Sequence, residues 1–477
     1  RDKEHTNILV DPGEEMGPKI STRDRTEGLA DINEVMSGIM RGRQMLVIFA
    51  TLGPNGSEFA IPGVQLTDSP YVAHSEKLLY RPGYQEFVRQ GEHARFFKFV
   101  HSEGELTENK TTKNIDKRRI YIDLKDDIVY SANTQYAGNT LGMKKMAMRL
   151  AIHRGSQEGW LCEHMLVMGV HGPNGRVTYF TGAFPSMCGK TSTAMLDGES
   201  VVGDDIAYLR KVNGVVRAVN CEHGMFGIIL GVNSKDDPIQ WKALHAPGHQ
   251  VIFSNVLRTD DGDVYWEGKD VPTPDHGVNF KGEWKPGMLD AAGKPVPPSH
   301  ANARFTLSLD MLENLDKNAD NPDGVEVSAY VYGGRDSDTW VPVQESIDWA
   351  HGIVAYGACA VQATSPVREL GALEAQASLS RLLGPISDSR RAMQDRLVAV
   401  AQHPGGPALD WLKQRSRDGA RDERRDAWFW LGQRLGTGVA PLVREALPKA
   451  DSDLREHLVF VLSQMPGAAG VDALIAL

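Results

Sequence analysis

The chain has no apolar run approaching the ~20 residues that a membrane-spanning helix needs, which excludes a helical membrane protein. Cysteine is scarce: Cys162, Cys188, Cys221 and Cys359 are the only four, and none falls at metal-site or disulfide-framework spacing. A reduced, cytoplasmic protein is therefore the expectation, and the first residues show no secretory leader pattern. Positive charge is not in excess, because 52 Lys and Arg face 62 Asp and Glu, a formal net charge of -10. That excludes a nucleic-acid binder working by bulk electrostatics, while leaving room for a local basic cleft that takes small anions. What remains is a 477-residue globular protein of ordinary composition, 41% hydrophobic and 24% charged, long enough for two or more domains.

Against this background one stretch carries chemistry. Phe184-Pro185-Ser186-Met187-Cys188-Gly189-Lys190-Thr191-Ser192 follows an apolar strand ending near Phe180 and precedes Val202-Gly203-Asp204-Asp205. A tight Gly-Lys-Thr loop offers backbone N–H groups, a cation and a metal-binding hydroxyl to a polyphosphate. The carboxylates 14 and 15 residues beyond Lys190 close a second apolar strand and suit a hard divalent cation. The combination points to phosphoryl transfer. It departs from the ordinary phosphate-loop motif, which has glycine where this chain has Phe184. Cys188 lies inside the loop, where positive potential favours the thiolate; loop packing is the other reading of that residue.

The loop resembles the kinase loop of the GTP-dependent phosphoenolpyruvate carboxykinases. Other segments resemble that family in the same order: Thr67-Asp68-Ser69-Pro70-Tyr71-Val72, Tyr136-Ala137-Gly138-Asn139 with Lys144-Lys145, and Glu158-Gly159-Trp160-Leu161-Cys162-Glu163-His164-Met165. Asn302-Ala303-Arg304-Phe305 and Gly333-Gly334-Arg335 follow. The resemblance covers about residues 1–365. It implies a mixed α/β, two-lobed core with a P-loop-like kinase loop, divided into an N-terminal substrate lobe at 1–120 and a phosphate- and metal-binding lobe at 121–365. It also implies conversion of oxaloacetate to phosphoenolpyruvate and CO2 through an enolate stabilised by Mn2+. The metal would be held by Lys145, His164 and Asp205. Lysine can be such a ligand because an adjacent dication lowers its pKa. His164 by itself reads as an ordinary packed histidine; only the set makes it a ligand. The resemblance further assigns the donor phosphates to Ser186, Met187, Cys188, Gly189, Lys190, Thr191 and Ser192. Thr191 would take the Mg2+ or Mn2+ that accompanies them, and Asp204 would orient metal-bound water. Lys190, Cys188, Ser186 and Arg335 would act at the transferred phosphoryl group, and Lys77, Tyr136, Gly138, Asn302 and Arg304 at the substrate.

Several positions depart from the family. Lys77 stands where the family has a substrate-contacting Arg, which keeps the charge but loses the bidentate fork. Ser192 replaces an Asn, and the segment after Cys221-Glu222-His223-Gly224-Met225-Phe226-Gly227 lacks the family's Ala-Pro-Gly-Thr. The match runs to Gln362-Ala363-Thr364-Ser365 and stops, so the mobile lid and the purine-stacking aromatics are not recognisable. A pyrophosphate-dependent branch of carboxykinases needs no base pocket, and this absence fits it as a second reading of the donor. A third reading is an inactive carboxykinase-like domain serving as a binding platform.

Beyond residue 366 strand signals end, and Ala, Leu, Arg and Asp recur with helical period. Gln402, Gln433 and Gln464 are each 31 residues apart, and Arg424 and Arg455 keep the same register. Breaks fall near Gly405-Gly406-Pro407, Gly436-Thr437-Gly438 and Pro466-Gly467. This segment, 366–477, resembles all-α HEAT-type repeats that stack to bury a shared face and bind protein partners. A plain helical bundle is the alternative. Elsewhere, Met45–Ala50 reads as a short buried strand, residues 164–180 as a hairpin turning at His171–Gly175, and 257–301 as loop.

Overall fold

The structure is a computed structural model and describes residues 4–14, 16, 20–108, 111–134, 146–184, 189–333, 346, 348, 352 and 406–463. The chain divides into two compact units, Arg1–Gly333 and Gly334–Leu477.

The first unit opens with an eight-stranded mixed sheet formed by β1 (Thr6–Val10), β2 (Thr22–Asp24), β3 (Leu46–Leu52), β4 (Ile61–Thr67), β5 (Arg81–Pro82), β6 (Phe97–Ser102), β7 (Arg119–Asp123) and β8 (Ile128–Ala132). Their order is β2-β1-β7-β8-β6-β4-β3-β5. The expected buried strand at 45–50 is β3, but it is buried only at its end. Met45, Val47 and Phe49 are exposed, whereas Ala50, Thr51 and Leu52 are buried. The reason is position: β3 lies between β4 and the two-residue β5, so the sheet covers little beyond it. Phe49 instead leans on Tyr84 and Phe87, with ring centroids 5.5 and 5.4 Å away.

Helix α2 (Pro70–Leu79), second after α1 (Arg25–Met36), starts where the sequence chemistry places a start. Ser69 caps it by accepting from the Val72 N–H, and Pro70 occupies the first turn, where no N–H is missed. Its last turn buries Glu76 completely, with neither carboxylate oxygen hydrogen-bonded among the described residues. Burial, and then the nearby Glu222, raise the Glu76 pKa well above the ordinary glutamate value. The folded protein therefore holds Glu76 protonated where the unfolded chain ionises it. Stability from this group is greatest below the unfolded pKa and falls as pH rises from there toward the folded pKa, by up to about 1.4 kcal/mol per pH unit. Glu76→Gln is expected to flatten that slope and to be more stable than the parent at neutral pH. Denaturant midpoints of both proteins from pH 4 to 8 measure it, and parallel curves refute it.

The second sheet is built from β9 (Leu161–Glu163), β10 (Leu166–His171), β11 (Val177–Ala183), β12 (Ser200–Gly203), β13 (Ala207–Val212), β14 (Val215–Asn220) and β22 (Val325–Tyr332), in the order β12-β10-β11-β22-β14-β13-β9. The hairpin read at 164–180 is β10–β11, registered from Leu166↔Gly182 to His171↔Val177. Asn174 and Gly175 at its turn have positive φ. The two sheets share one core, in which Phe97 and Phe99 of β6 meet Trp160, Cys162, Tyr208 and Val219. Each fully buried Phe contributes on the order of 1.5–3 kcal/mol. Cys162 and Cys221 are buried there, which pushes both thiols up. They are packing residues, not reactive ones.

Between β14 and β22 the chain adds β15 (Gly224–Ile228), β16 (Ile252–Ser254) and β21 (Arg304–Ser308), which form a three-stranded sheet over Trp266 and Phe305. The 257–301 stretch is not simply loop. It holds β17 (Leu257–Arg258), β18 (Val264–Tyr265), β19 (Gly277–Asn279) and β20 (Gly282–Trp284) around Leu257, Tyr265, Trp284 and Val296. Strands of two or three residues are too short to show an alternating pattern, so nothing in their sequence marks them.

Among its described residues the second unit, by itself, shows four α-helices: Gly406–Asp418, Arg421–Leu435, Ala440–Ala446 and Ser452–Ser463. They share a core that includes Leu412, Trp428, Leu431, Val443, Leu458 and Leu462. The break read at Gly436 ends the second helix, with Gly436 at φ 54°. The first repeat read from the sequence and the end of the third lie outside the described residues. What is described is a four-helix cluster. Among the described residues no helix is long and apolar enough to cross a membrane.

Candidate phosphate and metal site

Two corners of the second sheet build the centre of the site. Strand β10 begins beside the end of β12, with Val167 opposite Gly203. Strand β13 begins beside the end of β9, with Ala207 opposite Glu163. The connections β9–β10 and β12–β13 therefore turn side by side. The first presents His164 and the second Asp204 and Asp205. His164 Nε2 lies 2.6 Å from Asp205 Oδ1. Both aspartates are buried, in a sheet whose interior would not otherwise accept two carboxylates.

The third component comes from β11. Gly189 adopts φ +89°, a left-handed conformation that side chains resist. From there the short helix Lys190–Ala194 begins, with Thr193 Oγ1 donating to Gly189 O at 2.8 Å. Lys190 Nζ donates to Asp205 Oδ1 and to the backbone carbonyl of Asp204. The Lys190 and Asp205 side chains are each 12% exposed, so this ion pair is screened little by solvent. Thr191 is half-buried and Ser192 exposed on the same helix.

The loop's opening residue has a seat that the sequence did not reveal. Strand β22 runs parallel to β11, with Tyr332 opposite Ala183, and Gly333 N–H donates to Ala183 O at 2.8 Å. The Phe184 ring lies over two glycines. A Cβ on Gly333 would sit 2.3 Å from Phe184 Cδ1, and one on Gly182 would sit 2.6 Å from Phe184 Cε2. Phe184 and Gly333 thus leave the same end of the sheet side by side. Close by on β22, burial and the Glu163 carboxylate push the Tyr332 phenol up to about 12, which keeps it a neutral hydroxyl.

A separate cluster holds the expected substrate residues on β21. Arg304 Nε donates to Asn302 Oδ1 at 2.9 Å, and its guanidinium lies 5.1 Å from the Phe226 ring centre. Asn302 N–H in turn donates to His300 Nδ1 at 2.9 Å. Lys77 is exposed on the last turn of α2, a helix packed on β15 and β21. Tyr71 of that helix reaches Ser254 of β16 at 2.9 Å. Tyr71 was read only as part of a motif; this bond ties α2 to the strand beside Arg304.

The structure therefore unites His164, Lys190, Asp204 and Asp205 in one place and Asn302 with Arg304 in another. Lys145, Tyr136, Gly138, Ser186, Met187, Cys188 and Arg335 lie outside the described residues. Among the described residues no three His, Cys, Asp or Glu side chains gather as a metal site; His164 and Asp205 are a pair.

A mixed sheet that releases a Gly-Lys-Thr turn beside buried aspartates defines a phosphate-binding-loop lobe. Comparison with known proteins specifies which one. Residues 1–156 match the phosphoenolpyruvate carboxykinase N-terminal domain, and residues 160–376 match the phosphoenolpyruvate carboxykinase C-terminal P-loop domain. The chain is 60% identical over 359 residues to the GTP phosphoenolpyruvate carboxykinase of Pyrococcus horikoshii, covering 75% of this chain and 57% of that protein. It is 49% identical over 358 residues to that of Saccharolobus solfataricus, covering 75% and 56%. It is 39% identical over 388 residues to that of Chlamydia muridarum, covering 78% and 63%. Through residues 1–376 the chain belongs to the GTP-type phosphoenolpyruvate carboxykinase family, and it spans somewhat more than half the length of these relatives.

Proposed function

We propose that this chain is a GTP-dependent phosphoenolpyruvate carboxykinase, converting oxaloacetate and GTP to phosphoenolpyruvate, GDP and CO2. The observation that carries the reading is the Lys190–Asp205–His164 cluster at the mouth of the phosphate loop. An imidazole nitrogen and a carboxylate oxygen converging from facing corners are a donor set that fits a divalent cation, and we assign it to Mn2+. His164, Asp205 and Lys145 would hold the ion, which would supply positive charge for the enolate left by decarboxylation.

The chain's own groups supply the rest. Lys190 would exchange its Asp205 partner for phosphate oxygens and neutralise the group in transfer, with Ser186, Cys188 and the loop amides around it. Thr191 would take the cation that accompanies GTP, and Asp204 would orient water. The Asn302 bond to Nε fixes the plane of the Arg304 guanidinium, which sets its two terminal nitrogens for a substrate carboxylate. Tyr136, Gly138 and Lys77 would line the same substrate, and Arg335 would reach between it and the phosphoryl group. In this division of labour residues 1–120 serve the substrate and 121–365 the phosphates and metal. Residues 366–477 would stack as HEAT-type repeats for a protein partner.

The deciding assay is phosphoenolpyruvate formation from oxaloacetate with Mn2+ and, in parallel, GTP, ATP or pyrophosphate. Turnover with GTP alone supports the reading, and turnover with pyrophosphate alone moves the chain to the pyrophosphate-dependent branch. No turnover by a folded, Mn2+-binding protein leaves the binding-platform reading. His164→Ala is expected to weaken Mn2+ binding on the order of 10–100-fold or more, measured by titration of the free-ion electron paramagnetic resonance signal. Unchanged affinity would remove His164 from the metal site.

A further inference from the structure

The helices of the second unit line a partly open cavity of about 350 Å³ between them. Its walls come from all four, and their chemistry is uneven. Lys413, Arg417, Arg424 and Lys449 line it from three different elements, against a single carboxylate, Glu445. Among the described residues, two of these cations have only distant ion-pair partners: Arg424 Nη2 is 3.5 Å from Asp451, and Lys413 Nζ is 3.8 Å from Asp410. Among the described residues no ion pair engages Arg417 or Lys449. In a chain of net charge -10 this is a concentration of positive charge that the fold's own carboxylates leave largely uncompensated.

The remaining wall is apolar and flat. Trp428, 4% exposed, presents its indole beside Leu431, Leu442 and Leu454. Among the described residues, Trp428 Nε1 and Arg424 Nε are both buried without a hydrogen-bond acceptor. A buried N–H left without an acceptor costs about 1–3 kcal/mol. Neither atom reaches the cavity surface as it stands, but both belong to lining residues, so a small side-chain rotation would offer each to an acceptor from outside the chain. Water alone would gain nothing from the cations and the indole together.

We propose that this cavity is a binding site for a small organic anion with a flat apolar body and a carboxylate, phosphate or sulfonate head. The volume is within the ~300–1,000 Å³ of small-molecule sites. The indole and leucines would cover the body, and the cations would hold the head. The proposal does not depend on the carboxykinase reading, since every wall residue lies in the second unit.

The test uses the full chain and two probes of similar shape, 8-anilinonaphthalene-1-sulfonate and the uncharged N-phenyl-1-naphthylamine, followed by calorimetry and fluorescence. Saturable one-site binding of the sulfonate is expected, with the uncharged amine weaker by about tenfold or more. The double variant Arg417→Glu/Lys449→Glu, which alters two exposed side chains, should weaken the sulfonate by about tenfold or more with an unchanged helical circular-dichroism spectrum. Ala446→Trp, which puts an indole into the cavity, should abolish binding. Equal affinity of the two probes, or sulfonate binding unaffected by the charge reversals, overturns the proposal. So does failure of the sulfonate to bind at all.

Discussion

Lys190→Ala is expected to lower phosphoryl transfer by roughly 10³-fold or more, while Mn2+ binds no more weakly than in the parent. The first part follows from the role proposed for the ammonium. Charge held ready at a transferring phosphoryl group is worth several kcal/mol in a site that excludes water. The second part follows from geometry. Lys190 Nζ occupies Asp205 Oδ1, the same oxygen that His164 Nε2 approaches. A cation binding there must displace the ammonium from that oxygen, so removing the lysine removes a competitor. The variant also leaves a buried carboxylate with less positive charge beside it, which destabilises the fold in metal-free buffer. Mn2+ should therefore raise its thermal midpoint by more than it raises the parent's. Turnover, an equilibrium Mn2+ titration and thermal melts with and without the ion check the three parts. Weaker Mn2+ binding in the variant would contradict separate roles for the lysine and the metal ligands.

Gly333→Ala is the second large effect. A methyl group 2.3 Å from Phe184 Cδ1 cannot be accommodated where the ring now lies. The ring must move, and it carries the first residue of the phosphate loop with it. A displacement near 1 Å at the reacting groups costs on the order of 10²-fold in rate, so a fall in kcat of about that size is expected. Phe184→Leu in the same chain removes the clash and should recover a substantial part of the loss. The pair would then be strongly non-additive, as contacting residues are. If the double variant is as slow as the product of the two single effects, the ring and the glycine do not share a seat, and the loop is positioned by something else.

How much of this was legible beforehand differs from one element to the next. The start of the phosphate helix at Gly189-Lys190, the aspartates closing a strand and the β10–β11 hairpin are local, written in adjacent residues and their turn chemistry. The meeting of His164 with Asp205 is not local. It depends on two registers, Val167 with Gly203 and Ala207 with Glu163, and no periodicity along the chain encodes which strands pair. The sequence joined His164 to Asp205 only through likeness to a family. Gly333 was noticed for the arginine that follows it, whereas the structure shows it as room for an aromatic ring 149 residues earlier in the chain. The strand pairs within 257–301 were missed because they are shorter than the pattern that would announce them. Glu76 carried no signal in the sequence, since a charged residue on a helix gives no sign of which way it faces.

The two corners that carry His164 and Asp205 also limit how the chain can vary in length. One corner is His164-Met165 and the other Asp204-Asp205-Ile206, and Met165 and Ile206 are both buried. Inserting one residue in either corner would turn the following strand over, sending its core face outward, because side chains alternate from one face to the other. Such an insertion would also slide one donor away from the other. These short turns are thus held at fixed length from two directions at once, by the packing of the sheet and by the pairing of the donors.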